Sequence, residues 1–160
     1  MSKSFFVDTT LCTACRGCQV ACKQWHDLPA EETENRGSYQ NPEDLSFDTY
    51  KLVRMEEEII EGRVQWLFFP DQCRHCVEPP CQDTAGDPSA IFTDPASGAV
   101  IYTANTKGLN ADEIIESCPY NIPRKGEDGT LAKCDMCLDR VQNGLQPACV
   151  TTCPTGAMNF

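Results

Sequence analysis

Cys12-Thr13-Ala14-Cys15-Arg16-Gly17-Cys18-Gln19-Val20-Ala21-Cys22 is the stretch from which the rest of this sequence is read. Its spacing is Cys-x2-Cys-x2-Cys-x3-Cys. Three cysteines so placed lie on a tight loop around one face of an iron–sulfur cubane and supply three of its four corners; the fourth points away, to a second cluster. Such a run needs a partner run. Cys134-x2-Cys137-x11-Cys149-x3-Cys153-Pro154 has the same pattern with a stretched middle gap. Reciprocal exchange of the fourth cysteine gives two [4Fe–4S] sites: cluster 1 on Cys12, Cys15, Cys18 and Cys153, and cluster 2 on Cys134, Cys137, Cys149 and Cys22.

The block between them looks broken. Cys73-x2-Cys76-x4-Cys81 gives three corners, but the tail position holds Ala85. If Cys118-Pro119 is the tail of a further run, the three heads of that run fall on Gly108, Ala111 and Ile114, none of which ligates iron. The losses are correlated. Under the exchange rule one cluster needs Cys73, Cys76, Cys81 and Cys118, and all four are present. The other needs Ala85, Gly108, Ala111 and Ile114, and no ligand remains. The spacing therefore predicts three [4Fe–4S] clusters, the third on Cys73, Cys76, Cys81 and Cys118.

Two other uses of cysteine fit less well. Zinc favours paired Cys-x2-Cys knuckles closed to four ligands, which the triple in the first block does not match. Disulfides at x2 spacing are poor structural staples, and 160 residues exceed the usual disulfide-stapled miniature.

Twelve cysteines in 160 residues point to a metal-rich fold with a small apolar core, in which ligand bonds add to folding free energy. The formal charge of −11 excludes the basic stripe of a nucleic-acid binder. With about −2 per cluster and its thiolates, three clusters take that −11 to roughly −17, a charge suited to a basic redox partner. Met1 to Thr10 shows no basic start followed by an apolar run, so no signal peptide is read, and the longest apolar run, Trp66 to Phe69, is far short of a membrane span. There is no Gly-rich phosphate loop, no paired carboxylate motif and no Ser/His/Asp arrangement. The sequence is read as holding no catalytic site of its own.

The expected fold is α+β: two ferredoxin-like modules with irregular loops, forming one iron–sulfur domain over 1–160. The outer module is 1–26 plus 126–160, the inner module 70–125, and 27–69 an inserted loop and hairpin. Tyr50 to Glu58 and Arg63 to Phe69 flank a turn at Glu61-Gly62, and Ala90 to Phe92 and Ala99 to Tyr102 flank a second. Short helices are expected at Val20 to His26, Ala111 to Ser117 and Asp135 to Asn143, the last stopped by Gly144. Arg74, Lys133, Arg124, Lys125 and Arg140 lie near cysteine blocks, as charges that offset the clusters or as ordinary surface pairs. His75, between two ligands, is read as facing solvent, the alternative being that it tunes a cluster by hydrogen bonding.

Four cysteine runs, one pair nested in the other, resemble the iron–sulfur subunits of the molybdenum and tungsten bis-pyranopterin oxidoreductases. The motifs that carry the likeness are Cys12 to Lys23, Cys73-Arg74-His75-Cys76, Ala132-Lys133-Cys134-Asp135-Met136-Cys137 and Cys153-Pro154-Thr155-Gly156-Ala157. With Phe68-Phe69-Pro70-Asp71-Gln72 leading into the second block, the three-cluster variant looks closely like the small subunits of periplasmic tungsten or molybdenum formate dehydrogenases of sulfate-reducing bacteria. That resemblance implies an electron-transfer role beside a large catalytic subunit holding the metal pterin, with a multihaem cytochrome c as acceptor. It also implies a periplasmic address reached by co-export with the large subunit, the alternative being cytoplasmic. Other pterin oxidoreductases and a free polyferredoxin are the alternatives in function. Two features depart from the pattern: Lys23 stands where simple ferredoxins have Pro, and the sequence stops soon after Cys153 where the family carries a tail.

Overall fold

A computed structural model describes residues 2–160. In chain order the elements are β1 (Phe6–Val7), α1 (Gly17–Trp25), β2 (Leu52–Ile60), β3 (Arg63–Asp71), α2 (Pro80–Ala85), β4 (Ile91–Thr93) and β5 (Val100–Tyr102). A 3-10 turn (Ala104–Thr106) leads to α3 (Ala111–Glu116), β6 (Arg124–Lys125), β7 (Leu131–Ala132), α4 (Leu138–Gln142), α5 (Ala148–Thr151) and β8 (Met158–Asn159). The strands pair into four separate antiparallel two-stranded sheets. The fold is α+β, with most of the chain in loops.

Local chemistry accounts for the longest pieces. β2 and β3 pair over nine residues around Glu61-Gly62, both at positive φ (54° and 73°), the handedness that a two-residue hairpin turn requires. Its near end is buried at Leu52 and Val53, whereas its far end stands free of the core. Both expected hairpins are present, the second as β4–β5. Residues 27–48 hold no helix or strand and are tied down by Leu45, which is buried, and by Asp44, which takes Arg54 and Arg124.

Helix α1 begins at Gly17, three residues before the expected start, so Cys18 and Cys22 fall one turn apart on its buried face. α4 is shorter than expected because Met136 and Cys137 are both left-handed (φ 67° and 50°) and delay helix entry to Leu138. β1 pairs with β8, Phe6 opposite Asn159 and Val7 opposite Met158, and α1 lies against α5. These contacts bring the first and last cysteine blocks together. α2, α3 and the β4–β5 hairpin gather separately around Ala90, Ile91, Val100, Ala111, Ile114 and Leu131.

Candidate metal centres

The first Cys-x2-Cys turn of each block shares one backbone device. The residue just before the second cysteine of each pair is left-handed: Ala14 (φ 54°), His75 (φ 49°) and Met136 (φ 67°). None is glycine, so each stores strain of about 1–2 kcal/mol. The reversal turns amides back onto the preceding sulfur: His75 N–H donates to Cys73 Sγ and Met136 N–H to Cys134 Sγ, each at 3.4 Å.

Twelve thiols gather in three places. Set 1 is Cys12, Cys15, Cys18 and Cys153, lining one space with Val53, Pro70 and Met158. Set 3 is Cys73, Cys76, Cys81 and Cys118, lining a second space with Tyr102, Ile122 and Lys133. Between them sits set 2, Cys22, Cys134, Cys137 and Cys149, where Cys22 feels the charge of Cys137 and Cys149, and Cys134 that of Cys22 and Cys149. Neighbouring sets pack against each other: Cys18 of set 1 with Cys149 of set 2 in one apolar cluster, and Cys134 of set 2 with Cys73 of set 3 in another. The order in space is 1, 2, 3. All four thiols of set 2 are buried, while set 1 shows Cys15 exposed with Cys12 and Cys153 half-buried, and set 3 has Cys76 and Cys118 half-buried.

These donors fit a cubane better than a single ion. A closed zinc site with Zn–S of about 2.3 Å holds its sulfurs about 3.8 Å apart. Among the described residues, the one trio of ligand atoms all within 4.8 Å of one another is His26, Asp135 and Cys137, so no three sulfurs come that close. None of the twelve cysteines forms a disulfide. Burial pushes the Cys18 thiol up to about 11 and that of Cys137 to about 12, and raises Cys22 and Cys134 further, so these thiolates need a cationic group at their centre. Cys153 runs the other way: burial opposes ionisation, but amides of Met158, Thr155 and Ala157 and the Thr155 hydroxyl outweigh it and lower its pKa. Burial, and the Cys81 thiol beside it, raise the pKa of the Tyr102 hydroxyl, which stays a donor next to the sulfur.

The four positions without cysteine behave differently. Ala111 and Ile114 are buried in the apolar core around Ile91 and Val100, and Ala85 packs against it. Gly108 lies outside that core at φ 103°. At three of the four positions where the exchange rule leaves a fourth set without ligands, hydrocarbon packs into the core.

His75 does not face solvent. It is buried, its Nδ1 accepts from Val100 N–H at 3.0 Å, and its Nε2 therefore carries the proton and points at Cys134 Sγ, 3.6 Å away. Burial first, and the charge of Lys133 second, hold its pKa well below the usual histidine range, so the ring is neutral. A residue from the turn of set 3 thus contacts a thiol of set 2. The only sequence signal for this was its place between two ligands. His26 makes a similar approach, Nε2 to Cys137 Sγ at 3.6 Å and to Asp135 at 3.3 Å. The arginines near the cysteines are engaged elsewhere: Arg74 with Asp71 and between the rings of Phe69 and Tyr120, Arg124 with Asp44, Arg140 over Trp25.

Sulfur-rich sites in a row, buried in the middle and reachable at both ends, define a ferredoxin-like electron carrier. Residues 64–160 match the family described as 4Fe-4S dicluster domain. The whole chain is 65% identical to the formate dehydrogenase subunit beta of Megalodesulfovibrio gigas and 54% identical to the formate dehydrogenase 2 subunit beta (cytochrome c-553) of Nitratidesulfovibrio vulgaris, spanning 76% of each. Over 96% of its length it is 38% identical to the iron–sulfur subunit of the nitrate-inducible formate dehydrogenase of Escherichia coli, of which it spans 52%. The chain belongs to the iron–sulfur, or beta, subunits of formate dehydrogenase, and its work is electron transfer.

Proposed function

We propose that this chain carries three [4Fe–4S] clusters, held by sets 1, 2 and 3, and passes electrons between a formate-oxidising tungsten or molybdenum pterin subunit and a cytochrome c. The observation that carries the reading is the grouping of twelve thiols into three adjacent foursomes with only the middle one wholly buried. Bound at these places, each cluster takes up and releases one electron at a time. The chain's own residues space the sites, exclude water from the middle one, and donate N–H groups to the sulfurs.

Set 1 is the end that faces the catalytic subunit. The β2–β3 hairpin projects beside it and bears a bare apolar face, with Ile59 76%, Val64 58% and Trp66 45% exposed, and Tyr39 against Trp66. The opposite face of the same hairpin forms a groove through Leu67 and Phe69 that reaches Cys12. The hairpin that offers the partner an apolar face thus also borders the thiols of set 1 on its other side. Set 3 is the exit: Cys76 is followed by Val77, which is 97% exposed. A net charge of −11 favours a basic acceptor, with a rate that falls as salt rises. The cytochrome in the name of the Nitratidesulfovibrio vulgaris relative supports this acceptor class and, with it, a periplasmic address shared with the large subunit. Among the described residues, no helix is long and apolar enough to cross a membrane. The chemistry on formate is assigned wholly to the large subunit.

Metal analysis of the purified chain tests the cluster count: about 12 iron and 12 acid-labile sulfide are expected from three four-iron sites. A count near 16 or 8, or zinc in place of iron, overturns it. The docking surface is tested by Val64→Glu together with Ile59→Glu. Placing charge in an apolar contact is expected to weaken binding to the large subunit by about 30-fold or more, the loss of about 2 kcal/mol typical of a central contact, with iron content unchanged. Undiminished affinity in a pull-down titration sinks the assignment.

A further inference from the structure

Two lysines are buried where the sets meet. Lys51 is 1% exposed and Lys133 6% exposed. Lys51 Nζ donates to Gln72 Oε1 and approaches Met158 Sδ at 3.7 Å; its charge acts on Cys18 of set 1 and on Cys22 and Cys149 of set 2. Lys133 Nζ donates to the carbonyls of Val100 and Cys134 and lies 4.7 Å over the Tyr102 ring. It follows on from set 2 through Cys134, lines the space of set 3, and acts on Cys76 and Cys81 there. Neither has a carboxylate among its partners. Several other cations close to the sets do: Lys23 takes Glu31, Arg54 and Arg74 take Asp71, and Arg124 takes Asp44, while the less buried Arg16 at set 1 donates to the Tyr39 carbonyl.

A buried ammonium without a counter-ion is costly, and proteins tolerate one only where another negative charge stands close. In this acidic chain, no carboxylate supplies that charge at either lysine. The thiolates of the sets do, and they carry about −2 per loaded site.

Resting on the three-centre reading above, we propose that Lys51 and Lys133 are fixed counter-charges, one at each gap of the electron path, which raise the reduction potentials of the two centres they separate. A positive charge favours the more negative, reduced state. Lys51 therefore acts on centres 1 and 2, Lys133 on centres 2 and 3, and centre 2 receives both. This keeps the buried middle station, which has the least help from water, from becoming a barrier to the electron.

The test is an EPR-monitored redox titration of the loaded protein carrying Lys51→Met or Lys133→Met, with iron measured on the same samples. Lys51→Met is expected to make centres 1 and 2 harder to reduce by about tenfold, or about 59 mV for one electron, and to leave centre 3 in place. Lys133→Met shifts centres 2 and 3 and leaves centre 1. Lys51→Arg and Lys133→Arg retain the wild-type potentials. Full iron with unmoved potentials in both Met variants overturns the proposal, as does an equal shift of all three centres. If the Met variants fail to hold iron, the Arg variants decide: full iron at wild-type potentials supports the charge, and loss of iron there too overturns it in favour of a packing role. The wild-type iron count tests the three-centre reading separately.

Discussion

Stripping the iron anaerobically with a chelator is expected to unfold this chain, not to leave a folded apoprotein. Its regular structure cannot stand by itself. The longest helix has nine residues and the others four to six, below the roughly 12–15 that an isolated helix needs. Every sheet has only two strands, a marginal arrangement in water. Each of the three apolar clusters includes cysteines of the sets: Cys81 in one, Cys18 and Cys149 in another, Cys73 and Cys134 in the third. The left-handed residues at Ala14, His75 and Met136 add strain that only ligand bonds offset. Far-UV circular dichroism should collapse as the visible absorbance bleaches. A chelated protein that keeps its dichroism and still unfolds cooperatively in urea contradicts the prediction.

Cys22→Ala is expected to interrupt the electron path while leaving both its ends in place. Cys22 shares helix α1 with Cys18, one turn away, and hands its thiol to set 2 while Cys18 serves set 1. Set 2 is the only foursome between the other two. Iron should fall from about 12 to about 8, or to about 11 if a three-iron form survives. In the complex with the large subunit, formate should then still reduce centre 1, whereas centre 3 responds only to a small external reductant. Reduction of centre 3 by formate at the wild-type rate shows that the path does not run through set 2.

Much of this was legible in the sequence because cysteine spacing is a geometric constraint. Cys12, Cys15 and Cys18 line one space with Cys153, the grouping their spacing predicts, and the joint absence of ligands at Ala85, Gly108, Ala111 and Ile114 pointed to a site that the structure fills with hydrocarbon at three of the four positions. Glu61-Gly62 marked the long hairpin through its turn chemistry. Other features left no trace of that kind. β1 and β8 are two residues each, too short for any periodicity, and pair across nearly the whole chain. Of the two readings of His75, the favoured solvent-facing one failed and the hydrogen-bonding one held, because its orientation follows from the Val100 amide, a partner 25 positions away. Lys51 lies within the expected strand Tyr50 to Glu58 with no local signal of burial, and tertiary packing buries it.

The pairing of β1 with β8 also constrains how the protein is made. Thiols leave the ribosome in chain order, so set 3 is complete once Cys118 has emerged. Sets 1 and 2 each wait for the last block, Cys149 for one and Cys153 for the other. Met158, whose strand docks on Phe6 and Val7, lines the space of set 1, so with the ligand sets proposed above the two ends of the chain close over that site only after every other block has been made.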